Sequence, residues 1–257
     1  EELGAEPRHV DVDGPGLRGS MNPPTLVRDH NRNAYVLCVG TGYSGSAVAD
    51  SMVVLDPATG AVLDRVGLGS AVAGNKTTRA AAFDANFDGY DDLLYMGDLA
   101  GRLWRVDLRT NPWTKTQLFG CNQPIQAPPV VTVDNVGRPV ILFGTGQFIT
   151  ATDPASTATQ SIYAVTDDGA GTTFTRADLQ NQTSTIAGVT SGTHGWYVDM
   201  VEAPGERVTR GAALIANTLY VVSYLPSAAA CGGGGQSWLY TLDYEDGSAP
   251  DNNAGGE

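Results

Sequence analysis

Basic residues are few. The chain of 257 residues carries 15 Lys and Arg against 28 Asp and Glu, a formal net charge of −13. A phosphate backbone needs Lys and Arg, so nucleic acid is not an expected partner. Cysteine is scarce. Cys38, Cys121 and Cys231 lie far apart with no CxxC pair, which argues against a zinc site. Histidine is limited to His9, His30 and His194, none spaced as a metal pair and none beside a Ser or Cys nucleophile motif. All three read as surface or turn residues. No run reaches the roughly 18 apolar residues of a membrane span, and no basic-then-apolar leader opens the chain. Convincing amphipathic helices are missing; "TRADLQNQ" offers one short turn at most. With no leader and no start residue, the chain reads as a processed product or a piece of a longer one.

Glycine and proline, by contrast, are plentiful, at 32 and 14 residues, which suits short strands joined by turns. Four segments repeat one plan: an apolar run, a Gly-rich or polar connection, and a second apolar run ending in Asp. They are Ala34 to Asp56, "DDLLYMGD" to Asp107, "PVILFGTG" to Asp167, and "NTLYVVSYL" to Asp243. β-Branched and aromatic residues dominate these runs, a strand signal. "DLAGRL" reads as a hairpin turn, and "DPATGAV" as a turn into a further strand. The four terminal aspartates are expected to accept N–H bonds in the turns that follow. A strand pair recurring every 50 to 75 residues predicts propeller blades. The expected fold is all-β, a modified β-propeller with quinoprotein-like blades, incomplete or part of a longer chain. Residues 1–21 read as an extension or linker, 22–247 as the propeller, and 248–257 as a flexible tail.

The densest chemistry is "FDANFDGYDD", Phe83 to Asp92. Asp84, Asn86 and Asp88 fall at positions 1, 3 and 5 of a calcium loop, and Gly89 at position 6, where the chain must turn sharply. Tyr90 would offer its backbone carbonyl at position 7, and Asp92 stands at position 9. Oxygen ligands around a hard cation relieve the mutual repulsion of such a cluster. Position 12 is Tyr95 rather than a bidentate Glu, and the sequence downstream is hairpin, not helix. A calcium loop between strands at 84–92 is therefore expected, and Mg²⁺ suits so flexible a frame less well. Three carboxylates predict binding at roughly 10⁻⁶ to 10⁻³ M. Asp91 has no slot and reads as solvated. The ion would act as a structural staple or as a switch, and the pattern favours the staple.

Other motifs carry less. "GTGYSG" fits G-x-G-x-x-G, but the sequence after it leads to another strand, so its glycines serve tight strand ends. Outside Asp84 to Asp92 nothing isolates a general acid/base pair, and the chain is not expected to be an enzyme. Cys38, inside "YVLCVG", reads as a buried thiol. Cys121 and Cys231 lie in loop-like sequence and would be free to pair in an oxidising compartment.

Several stretches resemble the C-terminal domain of PilY-type proteins, the assembly factors and tip adhesins of bacterial type IV pili. They are "FDANFDGYDDLLYMGDLAGRLWRVDL", "QAPPVVTVDNVGRPVILFGTGQFI", "QSIYAVTDDG", "GWYVDMVEAPGERV" and "SWLYTLDYEDGS", in that order over Asn22 to Gly247. The resemblance implies a modified propeller holding one Ca²⁺ on Asp84, Asn86, Asp88, the Tyr90 carbonyl and Asp92. It also implies control of pilus extension and retraction, and attachment to surfaces from the pilus tip after export through the periplasm. Pilins or minor pilins and a surface receptor would be the partners. The von Willebrand-like module typical of such proteins and an Arg-Gly-Asp tripeptide do not occur in this sequence. Two alternatives remain. "DANFDGYDDLL" also fits an integrin-like FG-GAP propeller, although that class repeats the loop in several blades. "LDPATGAVL" resembles the blade repeat of quinoprotein enzymes, but Asp64 stands in its tryptophan slot.

Overall fold

The computed structural model describes residues 22–184, 189, 192–227 and 234–250. Among these there is no α-helix, and the strands form four sheets. Sheet one is an antiparallel meander of β1 (Thr25–Asp29), β2 (Ala34–Gly40), β3 (Val48–Leu55) and β4 (Val62–Val72). Sheet two repeats it with β5 (Ala81–Phe83), β6 (Leu93–Gly97), β7 (Arg102–Asp107) and β8 (Thr114–Gly120). Sheet three begins with β9 (Val130–Val133), β10 (Pro139–Gly144) and β11 (Ser161–Thr166). The chain then runs back, and β12 (Phe174–Thr175) pairs in parallel with β8 of sheet two. A 3-10 turn at Arg176–Asp178 leads to β13 (Gln180–Asn181). This strand pairs in parallel with β14 (Gly195–Asp199), which lies antiparallel beside β11. Sheet four holds β15 (Ala213–Ile215), β16 (Thr218–Leu225) and β17 (Gln236–Asp243).

The four expected apolar pairs are thus the antiparallel pairs β2–β3, β6–β7, β10–β11 and β16–β17. The aspartate closing each pair caps the next turn. Asp56 accepts from Ala58 N and Thr59 N, Asp107 from Arg109 N, Asp167 from Gly169 N and Asp243 from Glu245 N. "TRADLQNQ" supplies the single short turn at Arg176–Asp178.

Side-chain alternation explains how the sheets stack. Along β6, Leu94 and Met96 enter a core shared with Val27, Val36, Met52 and Val54 of sheet one. Leu93 and Tyr95 point the other way, into a core with Ile141, Phe143 and Tyr163 of sheet three. Val140, Leu142 and Ile162 then meet Leu219, Val221 and Leu242 of sheet four. A strand buried on both faces needs an unbroken apolar run, which is why β6 and β10 show no polar alternation. The end sheets are packed on one face only. Leu26 on β1 and Val222 and Leu239 on sheet four are more than half exposed. Among the described residues no core cluster joins sheet one to sheet four. The fold is all-β, a modified propeller whose sheets form an open arc rather than a closed ring.

The two Gly-Thr-Gly tripeptides mark where sheet one hands over to sheet two and sheet three to sheet four. A Cβ on Gly144 would stand 2.5 Å from Val208 Cβ, and one on Gly40 would collide with Thr77. The incoming segment crosses the strand end there, and only glycine admits so close an approach. The dinucleotide reading of "GTGYSG" has no helix to support it.

Phe143 stacks on Tyr163 with ring centroids 5.2 Å apart and is 1% exposed. Phe143→Ala is expected to lower stability by about 3–5 kcal/mol. Leu239→Ala, at an exposed site, should stay within about 0.5 kcal/mol. Urea denaturation followed by tryptophan fluorescence checks both.

Candidate metal centre

The acidic turn leaves β5 at Phe83 and enters β6 at Leu93, residues that pair directly across the hairpin. Its base is closed by Asp92 N donating to Phe83 O at 2.9 Å. Within it, side-chain oxygens take up backbone N–H groups. Asp84 Oδ2 accepts from Gly89 N, Asn86 Oδ1 from Asp88 N, and Asp88 Oδ1 from Tyr90 N, each at 2.8 Å. Asp92 Oδ2 accepts from Ala85 N at 2.9 Å. Asn86 Nδ2 donates to Asp88 Oδ2 at 3.2 Å. The turn is ordered by its own side chains, as short polar residues at alternate positions allow. Gly89 at φ 86° makes the sharp reversal. Phe87 also lies in the left-handed region, at φ 60°, and the residue is 81% exposed.

One oxygen is left over. Asp84 Oδ1 is buried and has no hydrogen-bond partner. A carboxylate oxygen removed from water without a donor is costly, and a cation is the partner that suits it. The Tyr90 carbonyl likewise accepts no hydrogen bond among the described residues. All five expected ligands offer hard oxygen, the donor type that Ca²⁺ takes. As the side chains stand, no group of three or more His, Cys, Asp or Glu among the described residues is drawn tightly enough together to hold a metal ion. The residues fit the ion in donor chemistry and in order along the turn, with one oxygen without a partner, while their side chains are not gathered into a coordination shell. Ca²⁺ bound by Asp84, Asn86, Asp88, the Tyr90 carbonyl and Asp92 would offset part of the loop's negative charge.

Asp91 differs from expectation. It is not solvated: Asp91 Oδ2 accepts from Arg28 N of β1 at 2.8 Å, and Asp91 N donates to Arg28 O at 3.0 Å. Burial, with the charges of Asp84 and Asp92, lifts its carboxyl above the usual carboxylate range, against the Arg28 N–H that lowers it. The missing partner lies 63 residues away in sequence, beyond the reach of any local pattern.

The other singled-out residues serve the fold. His30 is exposed in a turn and meets the edge of Tyr90, while His194 stacks on Phe174 at 3.8 Å. His9 lies outside the described residues. Cys38 is a buried thiol as expected, pushed up to about 12 by burial and then by Asp29. Burial likewise pushes Cys121 up to about 11. Cys231, and with it the Cys121–Cys231 pairing, lies outside the described residues. Sequence reasoning missed Arg176. Its Nη2 donates to both Asp199 oxygens at 2.9 and 3.0 Å, its Nη1 to Tyr163 Oη at 2.7 Å, and it lies over the Tyr197 ring. A cleft of about 660 Å³ is lined by Asp134, Arg138, Trp196, Tyr244 and Asp246, and takes in none of the acidic turn.

An open arc of packed sheets with an acidic turn inside one hairpin defines the chain as a modified β-propeller domain. Comparison with known proteins gives the likeness a name. No family model matches. A type IV pilus biogenesis factor PilY1 homologue of Xylella fastidiosa is 29% identical over 232 residues, covering 79% of this chain and 19% of its own length. The PilY1 biogenesis factor of Pseudomonas aeruginosa is 26% identical over 300 residues, covering 89% of this chain and 26% of its own. The crystal structure of the P. aeruginosa PilY1 C-terminal domain superposes with a TM-score of 0.79 at 24% identity, over 91% of this chain and 60% of that domain. The resemblance to PilY-type proteins drawn from the motifs is borne out, and the fold is that of the PilY1 C-terminal domain. The chain spans about a quarter or less of the curated relatives it matches.

Native chain treated with iodoacetamide at about pH 8 is expected to keep Cys38 and Cys121 unmodified, because burial disfavours the reactive thiolate. Both should label in guanidinium chloride. Mass spectrometry of the two tryptic peptides checks this.

Proposed function

We propose that this chain is the calcium-binding propeller domain of a type IV pilus biogenesis factor. It binds Ca²⁺ through Asp84, Asn86, Asp88, the Tyr90 carbonyl and Asp92, performs no catalysis, and acts on pilus extension, retraction and surface attachment. The named relatives are type IV pilus biogenesis factors, and a solved domain of one of them shares this fold. The partners are pilins or minor pilins and a surface receptor, met at the pilus tip after export. No helix among the described residues is long and apolar enough to cross a membrane.

The observation that carries the calcium part is Asp84 Oδ1, buried and unpartnered inside a turn of oxygen donors. An FG-GAP-like propeller with a protein-binding role would use the same turn. The single copy of the turn in four sheets and the likeness to PilY1 favour the pilus reading. A quinoprotein enzyme finds no support in the residues at Asp64 or around the cleft.

Calcium at about a hundred times its dissociation constant stabilises a protein that binds it only when folded by about 2.7 kcal/mol. For a domain of this size that is a rise of roughly 5–10 °C in Tm. The wild-type chain is expected to show that rise over chelator, and Asp84→Ala and Asp88→Ala to lose it. Equal wild-type melting temperatures with calcium and with chelator would defeat the claim. For the pilus role, deleting the gene in its own host should reduce surface pili and surface motility, counted by electron microscopy and by colony spreading.

A further inference from the structure

The turn has two halves, linked to each other by bonds from Gly89 N to Asp84 and from Tyr90 N to Asp88 but braced from outside on one side only. Residues 84–88 are ordered by the turn's own hydrogen bonds, from Gly89 N to Asp84 and from Asp88 N to Asn86. Residues 89–91 are held by the β1–β2 hairpin of sheet one. Arg28 is tied twice to Asp91, through its backbone N–H and through its carbonyl. Its guanidinium lies over the Tyr90 ring, 4.3 Å from the centroid, and donates from Nη1 to Gly89 O at 3.2 Å. In the turn beyond β1, Asn33 Oδ1 accepts from Tyr90 Oη at 2.6 Å, and His30 meets the Tyr90 ring at 5.1 Å. Asn33 holds its oxygen there from a left-handed backbone, φ 48°, a conformation that Asn tolerates better than most residues.

We propose that the β1–β2 hairpin is a clasp that reads whether the loop is occupied. A divalent cation held by Asp84, Asn86, Asp88 and the Tyr90 carbonyl would add a further link between the halves, and would so tighten sheet one on sheet two through Arg28 and Asn33. The clasp rests on the calcium reading and adds where occupancy is felt. Coupling of this kind is reciprocal: whatever loosens the hairpin weakens the cation by the same factor. Arg28 has two opposed effects. It orders Gly89 to Asp91, yet its positive charge opposes a nearby divalent ion. Tyr90 Oη is uncharged, so its removal reads the positioning effect alone.

Hydrogen exchange and calorimetry on the intact chain, titrated with calcium chloride, test the clasp. Calcium is expected to slow amide exchange at Thr25–Asp29 and Ala34–Gly40 as well as in the loop, and to leave Thr218–Leu225 of sheet four unchanged. Tyr90→Phe should bind calcium about two- to five-fold more weakly and lose the added protection in the hairpin while keeping it in the loop. Arg28→Gln should act in the same direction in about 0.5 M salt, where its charge is screened. Melting curves in chelator establish that both variants fold. Calcium binding by the wild type with protection confined to the loop, or a folded Tyr90→Phe with wild-type affinity and protection, overturns the clasp and leaves the calcium site standing. A wild-type chain that binds no calcium overturns both.

Discussion

The structure depends on strands that are buried on both faces. In β6 and β10 successive side chains feed two different cores, so each middle sheet is at once the partner of the sheet before it and of the sheet after it. Such a strand has no polar side to give to solvent, and its register is set twice over, because a slip of one residue would exchange the contents of both cores. Glycine at the strand ends, as at Gly144, lets the next segment cross close enough for the following sheet to stack.

That stack presents the acidic turn. The turn springs from the short β5–β6 hairpin, with one base anchored by Phe83 and Asp92 and one shoulder held by sheet one. A rigid platform allows a run of like charges to be kept at fixed spacing, where a free peptide would splay. Within the turn, Asp84 Oδ1 is the buried oxygen left without a hydrogen-bond donor. Arg28 already brings one positive group to the loop's shoulder, but it reaches the Gly89 carbonyl and the Tyr90 ring rather than Asp84.

Much of this was legible in the residues. The strand pairs stood out because apolar runs end in Asp and Gly, and the loop because its oxygens fall at alternate positions before a glycine. The strands β12 and β13 did not stand out, since two residues each leave no periodicity to detect. Arg176, lodged between them, looked like an ordinary turn residue; its partners Tyr163 and Asp199 are 13 and 23 positions away. Asp91 was misread as solvated for the same reason, because its donor belongs to β1. Local patterns reveal strands, turns and ligand spacing, whereas a contact between distant segments leaves no mark on either one alone.

The excursion through β12, the Arg176 turn and β13 stitches the two middle sheets into one piece, since the same eight residues, Phe174 to Asn181, lend a strand to each. Sheets one and four are tied to the middle by single crossing residues instead: Thr77 N donates to Thr41 O and Thr78 N to Gly97 O, while Arg207 N donates to Tyr224 O and Val208 N to Thr145 O. A chain tugged from its two ends would shed its outer sheets singly and surrender the stitched middle only as a pair. Resistance to mechanical load would then reside at the centre of the arc.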